Sequence, residues 1–208
     1  MTIRKGDAWG QVEKTPHNLR WFETDRDADD YLTHQMHTGS PVENIAIRKS
    51  NVGRELGLSG ATSGRDTMLM TKFDVVRVQY ELVDRTTKTE FFLGHALLRK
   101  SLIRGEVTGV FNTSFIKNFN CAPRSHPNDG KLDILQVDES MSLRQRLAAR
   151  RLMKLGAHLP HPKIRYFQTN RHTTQNQTGV NLFVDSKLLG SVKHCEFESI
   201  PDAVSLYW

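Results

Sequence analysis

The sequence of 208 residues predicts a mainly β, α+β fold: an antiparallel β-sandwich or barrel-like domain with one helix, preceded by a small truncated α/β unit. From residue 73 onward apolar residues alternate with polar ones or run in short blocks, the period of half-buried strands. Only residues 141–155 in that region have helical spacing. Residues 57–66 cluster Gly, Ser and Thr, the composition of a connection. The expected organisation is therefore an α/β unit over 1–60, a linker over 61–72 and the sandwich domain over 73–208.

The elements follow in order. Thr24 is placed to cap a helix whose first turns carry Asp25, Asp27, Asp29 and Asp30, acids that suit the positive end of a helix dipole. Tyr31, Leu32 and Met36 give that helix a partial apolar face, and Gly39, Ser40 and Pro41 end it. Residues 45–47 read as a short strand and 52–58 as a short helix. Beyond the linker, Val76, Val78, Tyr80 and Leu82 alternate with Arg77, Gln79 and Glu81 as a strand. Residues 84–88 form a hairpin-length loop, 91–98 return as a second strand, and 107–111 and 134–137 supply two more. Asp138 or Ser140 caps the helix over 141–155. Its Leu143, Leu147, Ala148, Leu152, Met153 and Leu155 spread over one broad face, and Arg144, Arg146, Arg150, Arg151 and Lys154 fill most of the rest. Gly156 ends it, Pro160 and Pro162 prevent its continuation, and 164–167, 180–184, 192–197 and 203–208 are further strands.

Hydrophobic residues make up 38% and charged residues 25%, a globular composition that argues against a disordered tail. The net charge of +6 favours anionic partners such as phosphates or acidic headgroups. Cys121 and Cys195 form no disulfide framework, and the first residues lack the apolar run of a signal peptide, so the expected location is the cytoplasm. No window reaches the roughly 20 apolar residues of a membrane span, so any membrane contact is expected to be peripheral.

Residues 120–133 organise the rest. Two prolines and Asn128-Asp129-Gly130 exclude a helix or central strand and impose a reversal that feeds the strand beginning at Leu132. Asp133 is expected to face away from that strand's apolar residues. Asp129 and Asp133 at the mouth of this corner can hold a divalent cation through oxygen ligands; a plain turn closed by an Asx hydrogen bond is the other reading. His126, His158, His161, His172 and His194 lack the spacing of a zinc site, and no Gly-x-Ser-x-Gly elbow supports a serine hydrolase. The arginines of the helix can meet phosphates of nucleic acid or of a membrane surface, or simply face water.

Ala122-Pro123, Pro127-Asn128-Asp129-Gly130 and Leu132-Asp133 resemble the Asp-Gly loop of the diacylglycerol and sphingosine kinase family, in its C-terminal β-sandwich domain. Further on, Gly156-Ala157-His158 with Pro162, the strand ending in Asp185, and Pro201-Asp202-Ala203 are similar to later motifs of the family, in the same order. Asn112 stands where the family often has Asn-Gly. The resemblance implies an N-terminal domain that binds ATP through a GGDGT loop, a lipid site in the sandwich, and chemistry in the cleft between them. It also implies a divalent ion, magnesium, near the Asp-Gly loop, and a Glu of a DGE motif as the base; no other cofactor is expected.

The sequence departs from the family at both chemical points. No GGDGT occurs; the nearest equivalent is Lys49, Ser50 and Asn51, between a strand and a helix, without the glycines whose bare backbone approaches phosphate. The DGE position reads Asp185-Ser186-Lys187, and an ammonium has three donors and no acceptor for a proton. Some sixty residues before the linker also suggest a truncated remnant of a nucleotide-binding domain. The expected function is a diacylglycerol-kinase-like pseudoenzyme that binds a lipid or another apolar or phosphorylated ligand, or acts as a regulatory module. Asn112, Asp129, Asp185 and Lys187 are its expected ligand-binding residues. The alternatives are a divergent active lipid kinase completed by oligomerisation or a partner subunit, and a basic nucleic-acid-binding domain, the least favoured.

Overall fold

The computed structural model describes residues 10–42, 44–48, 50–56, 66–101 and 103–208. The opening segment forms β1 (Gln11–Lys14), β2 (Arg20–Phe22), α1 (Asp25–Thr38), β3 (Ile45–Ile47) and α2 (Asn51–Glu55). It is followed by β4 (Thr67–Leu82), β5 (Thr87–Phe92), β6 (His95–Arg99), β7 (Val107–Phe111), β8 (Phe115–Ile116), β9 (Phe119–Asn120) and β10 (Leu132–Val137). The chain closes with α3 (Leu143–Met153), β11 (Ile164–Thr169), β12 (Arg171–Val184) and β13 (Lys187–Tyr207).

Eleven of these strands belong to one sheet, in the order β1-β4-β13-β12-β6-β7-β10-β11, with β5 also on β4 and β2–β3 joined through β13. Pairing is antiparallel except where β3 runs parallel to β2 and to β13. The sheet curls over a common core to which β4 sends Val76, Val78 and Tyr80, β10 sends Leu132 and Ile134, and β13 sends Cys195 and Phe197. The mainly β, α+β architecture is as expected from period-2 patterning.

A second core joins the opening segment to the sheet: Ala28 and Leu32 of α1, Ile45 of β3 and Val52 of α2 pack with Phe73 and Val75 of β4 and Leu206 of β13. Thr24 caps α1 in a capping box with Asp27, and Gly39, in the left-handed region, ends it.

Several boundaries differ from the sequence expectation. Residues 61–65 of the expected linker lie outside the described residues, but 67–72 are strand, paired with β1 on one side and β13 on the other. Residues 67–72, Thr-Met-Leu-Met-Thr-Lys, lie past the Gly- and Ser-rich stretch, and pairing on both edges makes them strand. The single strand expected over 91–98 is two, broken at Leu93–Gly94. The segments 192–197 and 203–208 belong to one strand, β13, whose register shifts between Ile200 and Val204, where Asp202 has positive φ. The cap of α3 is neither Asp138 nor Ser140 but Ser142, in a capping box with Gln145; Asp138 instead accepts from Ser140 N at 2.8 Å.

The leucines expected to form the buried face of α3 lie outside, and one of its arginines lies inside. Arg146 and Ala149 are buried, while Leu143, Leu147, Leu152 and Leu155 are exposed. Arg146 is tolerated inside because its guanidinium donates to Met141 O at 3.0 Å, to Asp138 O at 3.1 Å and to Gly105 O. Ala149, beside it, lets the helix approach the core built by Leu135, Val137 and Ile164.

Candidate functional site at the junction of the first two helices and the sheet

Asp25, Ala28, Asp29 and Leu32 share one stripe of α1, and all four are buried. The apolar pair fills the second core. The acids reach the polar ends of neighbouring elements instead.

Asp25 sits against the start of α2. Its two carboxylate oxygens accept from Asn51 N at 2.7 Å and Val52 N at 3.3 Å, and Ser50 Oγ accepts from Gly53 N. The first free amides of α2 are therefore occupied by side chains of the same protein. Burial, then the negative charge of Asp185, push Asp25 up to about 6, against the hydrogen bonds from Asn51 and Val52.

Asp29 accepts from Leu93 N at 3.0 Å, and Asp185 accepts from Gly94 N at 3.1 Å and His95 N at 3.0 Å. The amides of the β5–β6 turn are thus divided between two carboxyls. His95 Nδ1 lies 2.8 Å from Asp185 Oδ1, a close contact without the alignment of a good hydrogen bond. Burial and the charge of Asp185 hold Asp29 well above the usual carboxylate range. Burial would raise Asp185 too, but His95 and hydrogen bonds from His95 and Asp29 keep it below that range. The shared environment therefore biases Asp29 toward its protonated form and Asp185 toward its ionised form. Gly94 is required for this seat: a Cβ there would stand 2.9 Å from the Asp185 carboxyl carbon and closer still to Oδ1.

Lys187, two residues on, is half-buried and pairs with Asp30 at 2.8 Å. Asn112 is fully buried; its Nδ2 donates to Asp74 O and Leu93 O, both at 2.9 Å, so it fastens β4 to the β5–β6 turn. Asp185 and Asn112 are thereby brought onto the Leu93–His95 turn, while Lys187 is held by Asp30 of α1. Lys49 lies outside the described residues; Ser50 and Asn51 are at the same junction, Ser50 as the α2 cap and Asn51 accepting from Lys117 N at 2.7 Å.

Asp129 and Asp133 belong to a different neighbourhood. Asp129 accepts from Lys131 N at 3.0 Å, the Asx turn, and burial raises it. Asp133 is fully buried within β10. It accepts from Tyr166 OH and, at 3.2 Å, from Gln168 Nε2, while burial raises it against those bonds. A magnesium ion needs about six oxygens in near-octahedral array. This pair does not fit one: Asp133 has both oxygens engaged, and no three His, Cys, Asp or Glu side chains converge among the described residues.

Asp25, Asp29, Asp30, Gly94 and His95 were not legible as site residues from composition. The signal that would have found the first two is their i,i+4 spacing in register with Ala28 and Leu32, which places them on the buried stripe and not only in the first turns.

No protein-family model matches the chain, and no curated protein matches it. Solved structures do. A crystal structure assigned as a diacylglycerol kinase of Bacillus anthracis str. Sterne superposes with a TM-score of 0.63 at 11% identity, covering 91% of this chain and 76% of that one. A second from that organism gives 0.62 at 12% identity, with 92% and 78% covered. A third, also titled a diacylglycerol kinase, gives 0.56 at 12%, with 79% and 68% covered. The chain has the lipid-kinase fold of those proteins; at such identities the likeness defines the fold.

Proposed function

We propose that this chain is a lipid-kinase-fold protein that performs no phosphoryl transfer and serves as a binding or regulatory module for a lipid or phosphorylated ligand. One observation carries the reading: the Asp25 carboxylate already occupies the Asn51 and Val52 amides at the start of α2, where a phosphate would need them. A carboxylate in that position also repels a nucleotide's negative charge.

The proton-accepting side supports the same reading. Asp185 receives two backbone amides, Asp29 receives the Leu93 amide and is held well above the usual carboxylate range, and Lys187 is tied to Asp30. None of them is placed to take a proton from a lipid hydroxyl.

The test is an assay of the purified chain with labelled ATP, magnesium and diacylglycerol. Labelled phosphatidate should not exceed the blank, either for the wild type or for Lys187→Glu. Turnover by the wild type overturns the proposal. Organic extraction followed by mass spectrometry should recover a co-purified lipid or phosphorylated compound if the ligand is tightly held.

A further inference from the structure

We propose that the outward face of α3 docks on an anionic lipid surface. Of the large apolar side chains exposed among the described residues, Leu143, Leu147, Leu152 and Leu155 are concentrated on this helix and the turn after it, between 45% and 81% exposed. Ile103, 57% exposed, lies in a loop that the Arg146–Gly105 hydrogen bond fastens to the same helix.

Cations are interleaved with the leucines. Arg144, Arg150, Arg151 and Lys154 are exposed, and the helix contains no acid. Arg150 lies over the Phe119 ring at 5.1 Å; Arg144, Arg151 and Lys154 form no ion pair among the described residues. Asp138 and Glu139 precede the helix, and Asp138 is engaged with Ser140 N.

The combination selects the partner. Nucleic acid would take the cations but leave the leucines in water, and the outward face has no aromatic side chain for base stacking. A second copy packed face to face would set these cations against themselves. An anionic membrane interface accepts both, leucines at the acyl boundary and cations among the headgroups. The inference is independent of the reading of the junction, since an active chain would dock in the same way.

The test is co-sedimentation with vesicles of phosphatidylcholine alone and of phosphatidylcholine mixed with phosphatidylglycerol. The chain should sediment with the mixed vesicles only, and less so in high salt. Leu143→Ser with Leu147→Ser should weaken binding about tenfold or more. Arg144→Gln and Arg151→Gln should each weaken it about fivefold. Val12→Ser, exposed on β1, should change nothing. If the double leucine variant does not fold, Leu147→Cys carrying an environment-sensitive fluorophore reports the same contact by a blue shift on mixed vesicles. Absence of sedimentation with mixed vesicles, binding indifferent to the leucines, absence of the blue shift, or α3 variants that abolish RNA retention or dimerisation instead would each overturn the proposal.

Discussion

The acids of α1 and the cations of α3 are both helical charges, yet the fold treats them oppositely. Asp25 and Asp29 face inward and accept backbone amides from α2 and from the β5–β6 turn. Arg144, Arg151 and Lys154 face outward without an ion pair among the described residues, beside exposed leucines. A charge whose hydrogen bonds are completed within the chain organises structure, whereas a free charge beside apolar surface is available to another molecule. The difference locates structural work at the junction and recognition on α3.

The sharpest way to break this contrast is Gly94→Ala. The added Cβ occupies the Asp185 seat, so the variant should lose about 3–5 kcal/mol in urea unfolding, by expelling a buried carboxylate from its donors. Arg146→Ala comes next, because it is the one α3 cation turned inward: stranding three carbonyls should cost about 2–4 kcal/mol. If it cost nothing, the inward and outward cations would be equivalent and the comparison would fail.

Asp25→Ala should cost about 1–3 kcal/mol by leaving the Asn51 and Val52 amides without an acceptor. Here pH gives a further check. Asp25 and Asp74 both stand at about 6 in the folded chain, above the ordinary 3.8; for Asp74 the cause is burial, against hydrogen bonds from Asp202 N and Gly130 N. The folded state then holds protons that the unfolded chain has released, so this contribution to stability is full below about pH 4 and is lost as pH rises through about 6. Asp25→Asn or Asp74→Asn, which cannot ionise, should therefore compare more favourably with the wild type at pH 7 than at pH 4, by on the order of 2 kcal/mol. Equal differences at the two pH values would refute the assignment.

The smallest effects belong to the surface. Lys187→Ala should change stability by about 1 kcal/mol or less, since its pairing with Asp30 is partly open to water. Leu147→Ser should leave thermal unfolding within about 0.5 kcal/mol of the wild type.

Much of the scaffold was readable without coordinates. The alternation over Val76–Leu82, the Thr24 cap and the Gly39 stop all express local rules of period and backbone geometry, and each appears where expected. The Asp129 turn does as well, since Asn-Asp-Gly closes locally. The Leu93–Gly94 break was hidden, because an apolar run with one glycine reads as a continuous strand until Asp185, some ninety positions on, is brought against it.

From the residues alone came the β-rich architecture, the capping signals, the absence of a GGDGT motif and a lysine at position 187. These depend on neighbours in the chain or on residue identity. Only the tertiary structure decided which side of each helix would be buried: helical period fixes the relative angles of Leu143, Arg146 and Ala149, but not which of them meets the sheet. Burial then turned Asp25 and Asp29 into fasteners and left the α3 leucines outside, because what a side chain touches across the fold is set by packing and not by its place in the sequence.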